Sequence, residues 1–233
     1  LTVSETRQRL PYRRERMDSE KQINISTSNS FKIRPFKNRD FQWLRADVFG
    51  FWNFGEFTHR VSSAALLAAA EAARSLGEST LAFTAELENE PVGYLLASDK
   101  GTLSLRTPEV FTNYARRLKK RLATNDFHRA YKAYTDILRA LYPAEASADA
   151  DYELVTLLVP DEYRELGIAH SLTAKFEELL KNNGKKSYAV SSAVIEGSHF
   201  FDEGFKTIGE SKVTVEVPAG SKEIVCRRYV REI

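Results

Sequence analysis

The chain reads as a single α/β domain, and three features of the sequence predict it. Short apolar or alternating runs that suit strands recur between stretches with helical spacing. Two pairs of those runs, 81–87 with 92–97 and 205–217 with 222–230, are separated only by turn residues, as antiparallel hairpins require. A further run, 154–159, passes through Pro160 and a small-residue turn straight into a helical pattern.

Residues 1–30 read as a disordered basic extension. Arg7, Arg9, Arg13, Arg14, Arg16 and Lys21 stand among polar residues with few apolar partners, and 25–30 is linker-like. The segment has no apolar core of the kind a secretory signal carries. Met17 is the single methionine and residue 1 is Leu, which leaves the origin of residues 1–16 open.

The folded part, 31–233, starts with an alternating first strand at 31–36. Asn38 or Asp40 is placed to cap a helix running to about Phe51, and 57–76 form a second helix rich in Ala and Leu that Gly77 closes. The strand at 81–87 turns at Glu88-Asn89-Glu90-Pro91 into its partner. Residues 100–150 then read as a helical-hairpin insertion between the third and fourth strands. Thr107-Pro108 starts one helix with a stripe of Phe111, Tyr114, Leu118 and Leu122, and Phe127, Tyr131, Tyr134, Leu138 and Leu141 mark the second. A fourth strand at 153–159 leads to the helix after Gly167. That helix carries Ile168, Leu172, Phe176, Leu179 and Leu180 on one face, and Asn183-Gly184 ends it. A fifth strand at 187–191, a short helix at 198–203 and a closing hairpin complete the order.

Composition limits the functional classes. The 233 residues are enough for a substantial core, and 42% hydrophobic with 28% charged residues is ordinary for a globular protein. A net charge of +2 gives no global push towards nucleic acid or membrane, and no apolar run approaches the ~20 residues of a membrane helix. Cys226 stands alone, which excludes an internal disulfide and suits a reducing, cytoplasmic compartment. His59, His128, His170 and His199 lie too far apart in the chain to suggest a metal site.

The strand–turn–helix at 154–172 carries the most chemistry. Arg164, Gly167 and Ala169 follow Pro160 in the order R-x-x-G-x-A. The first-turn N–H groups of the following helix have no partners within it. With the positive end of the helix dipole they make a site for phosphate. Gly167 lets backbone approach such a ligand, and Ala169 keeps the next turn narrow.

The element order and three motifs resemble the GNAT N-acetyltransferase superfamily. The turn at 157–172 resembles that family's acetyl-CoA pyrophosphate loop. Phe200-Phe201-Asp202-Glu203-Gly204-Phe205 resembles its late aromatic Gly-Phe motif, and Glu88-Asn89-Glu90-Pro91-Val92-Gly93-Tyr94 its polar turn before Val-Gly. The resemblance covers roughly 31–99 and 151–232. It implies a mixed, mostly antiparallel central sheet flanked by helices and direct acetyl transfer from acetyl-CoA to an amine, with no metal.

It also implies site residues. The backbone of Arg164, Glu165, Leu166, Gly167, Ile168 and Ala169 would cradle the pyrophosphate, with Arg164 adding charge. Leu158 and Val159 would offer main-chain groups to the pantetheine arm and to the thioester oxygen, and Ser191 and Ser192 would contact that arm. Glu153, eleven residues before Arg164, matches a family position that carries a glutamate general base. Trp52, Phe54 and Phe57, around Gly55, are expected to line the acceptor pocket, with Glu56 available to attract an ammonium group.

Two departures from the family pattern stand out. Phe200 and Phe201 occupy positions where many members place a proton-donating Tyr, with Tyr163 and His199 as nearby candidates. Asp161, Glu162 and Glu165 put negative charge around a phosphate loop. They keep open a second function, that of a catalytically quiet acyl-CoA-binding or regulatory module on the same fold. Arg116, Arg117, Lys119, Lys120 and Arg121 go round the first insertion helix instead of forming a stripe, so they read as a solvated face and not as a nucleic-acid surface. The expected partners are therefore acetyl-CoA and an amine, with homodimerisation open.

Overall fold

The fold follows from a computed structural model that describes residues 31–100, 125–142, 149–194, 201 and 204–233. Seven strands form one sheet: β1 (Lys32–Pro35), β2 (Leu81–Leu87), β3 (Glu90–Asp99), β4 (Tyr152–Leu158), β5 (Ser187–Val194), β6 (Lys206–Val217) and β7 (Gly220–Glu232), in the order β1-β2-β3-β4-β5-β7-β6. Neighbours are antiparallel except β4 and β5, which run parallel. The sheet is thus mixed and mostly antiparallel, as expected.

Helices cover both faces. On one face, α1 (Phe41–Phe51), α2 (Val61–Glu78) and α3 (Asn125–Leu141) share a core with the sheet. Leu44 and Val48 of α1, Leu67 and Ala68 of α2, and Phe127, Ala130 and Ile137 of α3 are buried there against Tyr94, Leu96, Leu158 and Val215. On the other face, α4 (Ile168–Asn182) buries Ile168, Leu172, Phe176 and Leu180 against Leu95, Leu154, Tyr188 and Val190. A four-residue spacing keeps these side chains on one side of the helix.

Local chemistry explains where the boundaries fall. The β2–β3 hairpin closes through Glu88 and Asn89, with φ of 49° and 68°, between the paired residues Leu87 and Glu90. Two central residues at positive φ match the twist of the flanking strands. Helix α2 starts at Val61, later than expected, because Phe57 is drawn into the core. Thr58 meanwhile donates to Asp126 at 2.5 Å and accepts from the Arg60 amide at 3.2 Å. The helix then runs through Gly77 to Glu78, and the Ser79 hydroxyl donates to the Ser75 carbonyl at 2.6 Å.

Asp40 makes no side-chain cap to α1. It is buried, accepting two bonds from Arg34, at 2.7 and 2.9 Å, and one from the Lys37 amide at 2.8 Å. Of the helical-hairpin insertion, α3 is described, whereas the first insertion helix and its basic residues lie outside the described residues, as do 1–30 and most of 198–203. Among the described residues no helix is long and apolar enough to cross a membrane.

Candidate active site

The phosphate-loop region is built by three consecutive elements. Pro160 ends β4, residues Asp161–Leu166 form a 3-10 turn, and Gly167 enters α4 with φ of 68°. Glycine takes this left-handed conformation at little cost. A Cβ on Gly167 would meet nothing within 4 Å, so backbone conformation, not crowding, demands glycine here. The Ser171 amide donates to the Gly167 carbonyl at 3.1 Å. The amides of Ile168 and Ala169 therefore come before the helix's own ladder begins.

Gly93 on β3 sets how closely this helix end approaches the sheet. A Cβ on Gly93 would lie 2.7 Å from Ile168 Cγ2 and 3.4 Å from both Leu172 Cδ1 and Val159 Cγ2. Only a residue without a side chain lets Ile168 seat there. The mouth of α4 is consequently packed directly on the strand beside β4.

The cleft itself arises where the parallel pair separates. β4 and β5 pair at Tyr152↔Tyr188, Glu153↔Ala189 and Leu154↔Val190, and the described pairing ends there. The β3–β4 register shifts at the same place, with Leu96 opposite Thr156 but Ala97 opposite Leu154, so Val155 is an extra residue in β4. Beyond it, β4 continues along β3 to Leu158 while β5 continues along β7 to Val194. Beyond Leu154 the β5-facing main-chain groups of β4 have no ladder partner among the described residues, and the same strand leads through Pro160 to the mouth of α4. Leu158 is buried against Tyr94 on the α1–α3 face, and Val159 is half-buried beside Gly93.

Glu153 lies one rung before the separation, on the α1–α3 face. Its two oxygens accept from the Arg228 guanidinium of β7, Nη1 to Oε1 at 2.9 Å and Nη2 to Oε2 at 2.7 Å. Arg228 Nη1 also donates to the Ser191 hydroxyl at 2.7 Å. The two side chains are 13% and 8% exposed, so this is a largely buried bidentate pair. The hydroxyl of Ser192, the next residue of β5, donates to the Ala193 carbonyl at 3.2 Å.

A second polar cluster joins α2 to α3 on the same face. Glu71, buried, accepts from Arg74 Nε and Nη2 at 2.8 Å each, from Tyr134 at 2.5 Å and from Ser75 at 3.2 Å. Burial, helped by Glu71, holds the Tyr134 hydroxyl protonated well beyond the usual phenol range. Tyr142, its ring 5.8 Å below the Arg74 guanidinium, is pushed up to about 12 by burial. The local sequence pattern did not signal Arg228, the packing of Gly93 under α4, or this cluster. Gly93 was visible only as the glycine of a Val-Gly motif.

The remaining expected site residues are distributed unevenly. Arg164 pairs with Asp161 at 2.8 Å, both more than half exposed, and Glu162 and Glu165 also reach water. Exposed charges are strongly screened, so the acidic residues oppose an anion at the loop only weakly. Leu166 is half-buried against the α4-side core, where Tyr163 is buried. Phe54 and Phe57 are core residues, and Trp52, stacked on Phe54 at 5.5 Å, is the member of that trio that keeps some exposure. Glu56 is held by Lys222 at 2.7 Å and Asn53 at 2.5 Å. Phe201 packs on Phe205 and Tyr229, while Phe200 and His199 lie outside the described residues.

No protein-family model and no curated protein sequence matches the chain. Solved structures do match. A mutant agmatine N-acetyltransferase in its apo form is 12% identical, with 87% of this chain and 99% of that one covered at a TM-score of 0.54. A protein assigned as a phosphinothricin N-acetyltransferase is also 12% identical, covering 88% and 99% at a TM-score of 0.50. At such identity the likeness speaks for the fold, and the fold is that of the GNAT N-acetyltransferases.

Proposed function

We propose that this chain is an acetyl-CoA-dependent N-acetyltransferase that acts on an amine by direct attack. The observation that carries the reading is the parting of β4 from β5 after Leu154, next to a glycine-initiated helix mouth. A cosubstrate of extended shape with a diphosphate fits that combination. Amides of Ile168 and Ala169, with the α4 dipole, suit the diphosphate. The main chain of 155–159 suits the pantetheine arm, and a donor there would stabilise negative charge growing on the thioester oxygen. Arg164 adds a cation once it exchanges Asp161 for phosphate.

Glu153 is the carboxylate at the floor of the cleft and, in this reading, receives the proton that the ammonium group must lose. Arg228 donates one bond to each of its oxygens. A carboxylate has about four acceptor positions, so room remains for an amine N–H. Ser191, tied to Arg228, lies beside this point, and Ser192 faces away from it along β5. Trp52, the member of the aromatic trio that keeps some exposure, is the one this reading assigns to the acceptor. The acetyl-donor cosubstrate, the amine acceptor and a location in the cytoplasm form one consistent reading, with no step that calls for a metal.

A catalytically quiet acyl-CoA-binding module is the second reading, favoured by the Glu153–Arg228 pair and by Phe201 where a proton-donating Tyr is expected. One experiment separates the two. Thiol release from acetyl-CoA is followed across a panel of amines, amino acids and peptides, beside calorimetric titration of acetyl-CoA. Turnover on any acceptor that falls about 100-fold in Glu153→Gln supports the enzyme. Binding with no turnover on the whole panel supports the quiet module.

A further inference from the structure

We propose that Arg228 is a positioning residue: it fixes the carboxylate of Glu153 by reaching across β5. This rests on the acetyl-transfer reading of the cleft. The sheet order places β5 between the strands that carry the two residues. Neighbouring strands lie about 4.8 Å apart, so the contact spans about twice that distance. Tyr188 and Val190 of β5 belong to the α4-side core, which puts Ala189 and Ser191 on the opposite face, under the guanidinium. Ala189 is fully buried and small enough to let the Arg228 side chain pass, and Ser191 anchors it by accepting from Nη1.

The result is a planar group held by three bonds, one rung before the strands part. The two-bond contact to Glu153 fixes the plane of the carboxylate as well as its place. Arg228 Nε, buried, has no acceptor among the described residues, so the contacts to Glu153 and Ser191 set the orientation of the guanidinium. The fork also holds β7 to β4 across the strand that turns away. An acceptor nitrogen must come within hydrogen-bond reach of the base, and a misplacement of ~1 Å can cost about 100-fold in rate.

The test compares Arg228→Lys, Glu153→Gln and the double variant in the full chain. Lysine keeps the charge but cannot form the two parallel bonds. Arg228→Lys should lower kcat about 10- to 100-fold while the acetyl-CoA Kd, by calorimetry, stays within about twofold. In the Glu153→Gln background the same change should add no further loss, because the group it positions is gone. Losses that multiply, a parent-like kcat in Arg228→Lys, or a loss confined to acetyl-CoA affinity each overturn the proposal. So does parent-like turnover in Glu153→Gln.

Because an unpaired buried carboxylate can unfold a protein, Arg228→Met is combined with Glu153→Gln, which removes both charges. That variant should bind acetyl-CoA and turn over at the Glu153→Gln rate, and a rate more than about tenfold lower overturns the role. A parent protein that releases no thiol with any amine defeats acetyl transfer and this role together. Parent turnover with multiplying losses defeats the role of Arg228 alone.

Discussion

Gly93 shows how one missing side chain can govern a site that it does not belong to. Its absent Cβ would sit 2.7 Å from Ile168 Cγ2, closer than real contacts allow. Ile168 is β-branched and helical, so its χ1 has little freedom to yield. The change Gly93→Ala must therefore move the first turn of α4, the turn whose amides the proposed diphosphate site uses. A stability loss of about 1–3 kcal/mol is expected from the overpacking. Acetyl-CoA affinity should fall at least about tenfold, because donors displaced by a fraction of an ångström lose alignment with a diphosphate. Trimming the clashing residue tests the cause: Gly93→Ala with Ile168→Val still carries Cγ2 or its equivalent and should stay weak. Gly93→Ala with Ile168→Ala frees the space and should recover affinity in the same titration. Equal affinities in the two double variants would show that steric pressure on α4 is not the cause.

Two elements are held by buried charge. At the β1–β2 edge, Glu86 is bonded to Lys32 at 2.7 Å and Arg34 at 2.6 Å, and its side chain is 2% exposed. The Lys32 and Arg34 contacts outweigh burial and bring its carboxyl down to about 2 from 4.5. For Asp40 burial works in the raising direction, but hydrogen bonds from Arg34 and the Lys37 amide prevail, and the carboxyl lies below its ordinary range. Folded-state values below those of the open chain mean that the contribution is complete above pH 4.5 and is lost as pH falls towards 2. The urea midpoint should drop across that window, and Glu86→Gln should flatten the drop while lowering the midpoint at neutral pH. At the α2–α3 contact, Tyr134→Phe removes a 2.5 Å bond to buried Glu71. A loss of about 1.5–3 kcal/mol is expected from denaturant unfolding, as for hydrogen bonds to charged groups. These devices could not be read from local sequence. Glu86 is 52 residues from Arg34, Tyr134 is 63 from Glu71, and Arg228 is 75 from Glu153. Periodicity reports which face of an element is apolar, not which distant charge arrives there. It gave β2 its bounds and α4 its buried face, but it says nothing of caps or pockets: of the expected cap at Asn38 or Asp40, Asp40 makes none, and Phe54 and Phe57, which the family resemblance put on the pocket wall, pack inside.

At the scale of the molecule, the sheet lies between the two described helical layers, and the cleft opens where that sheet divides. The glycine turn that marks one end of this cleft was evident in the sequence as R-x-x-G-x-A. The division itself was not, since it depends on the extra residue Val155 and on which rungs of β4 and β5 pair. A ligand that bridges the cleft and the helix mouth should therefore stabilise the whole fold, because it binds an arrangement that exists only when both strands and α4 are in place. At 100 times its Kd, such a ligand contributes about 2.7 kcal/mol, equivalent to a rise of about 5–10 °C in Tm for a domain of this size. Acetyl-CoA and free CoA should raise Tm alike, since in the proposed reading the α4 mouth binds their common diphosphate. Pantetheine has the arm but no diphosphate and should raise it little at equal concentration. Gly93→Ala should lose most of the shift with both CoA forms, whereas Arg228→Lys, whose change lies at the other end of the cleft, should keep it. Thermal melts of the three proteins with the three ligands measure all of this at once. A pantetheine shift equal to that of CoA would move the binding energy away from the helix mouth and on to the separated strands.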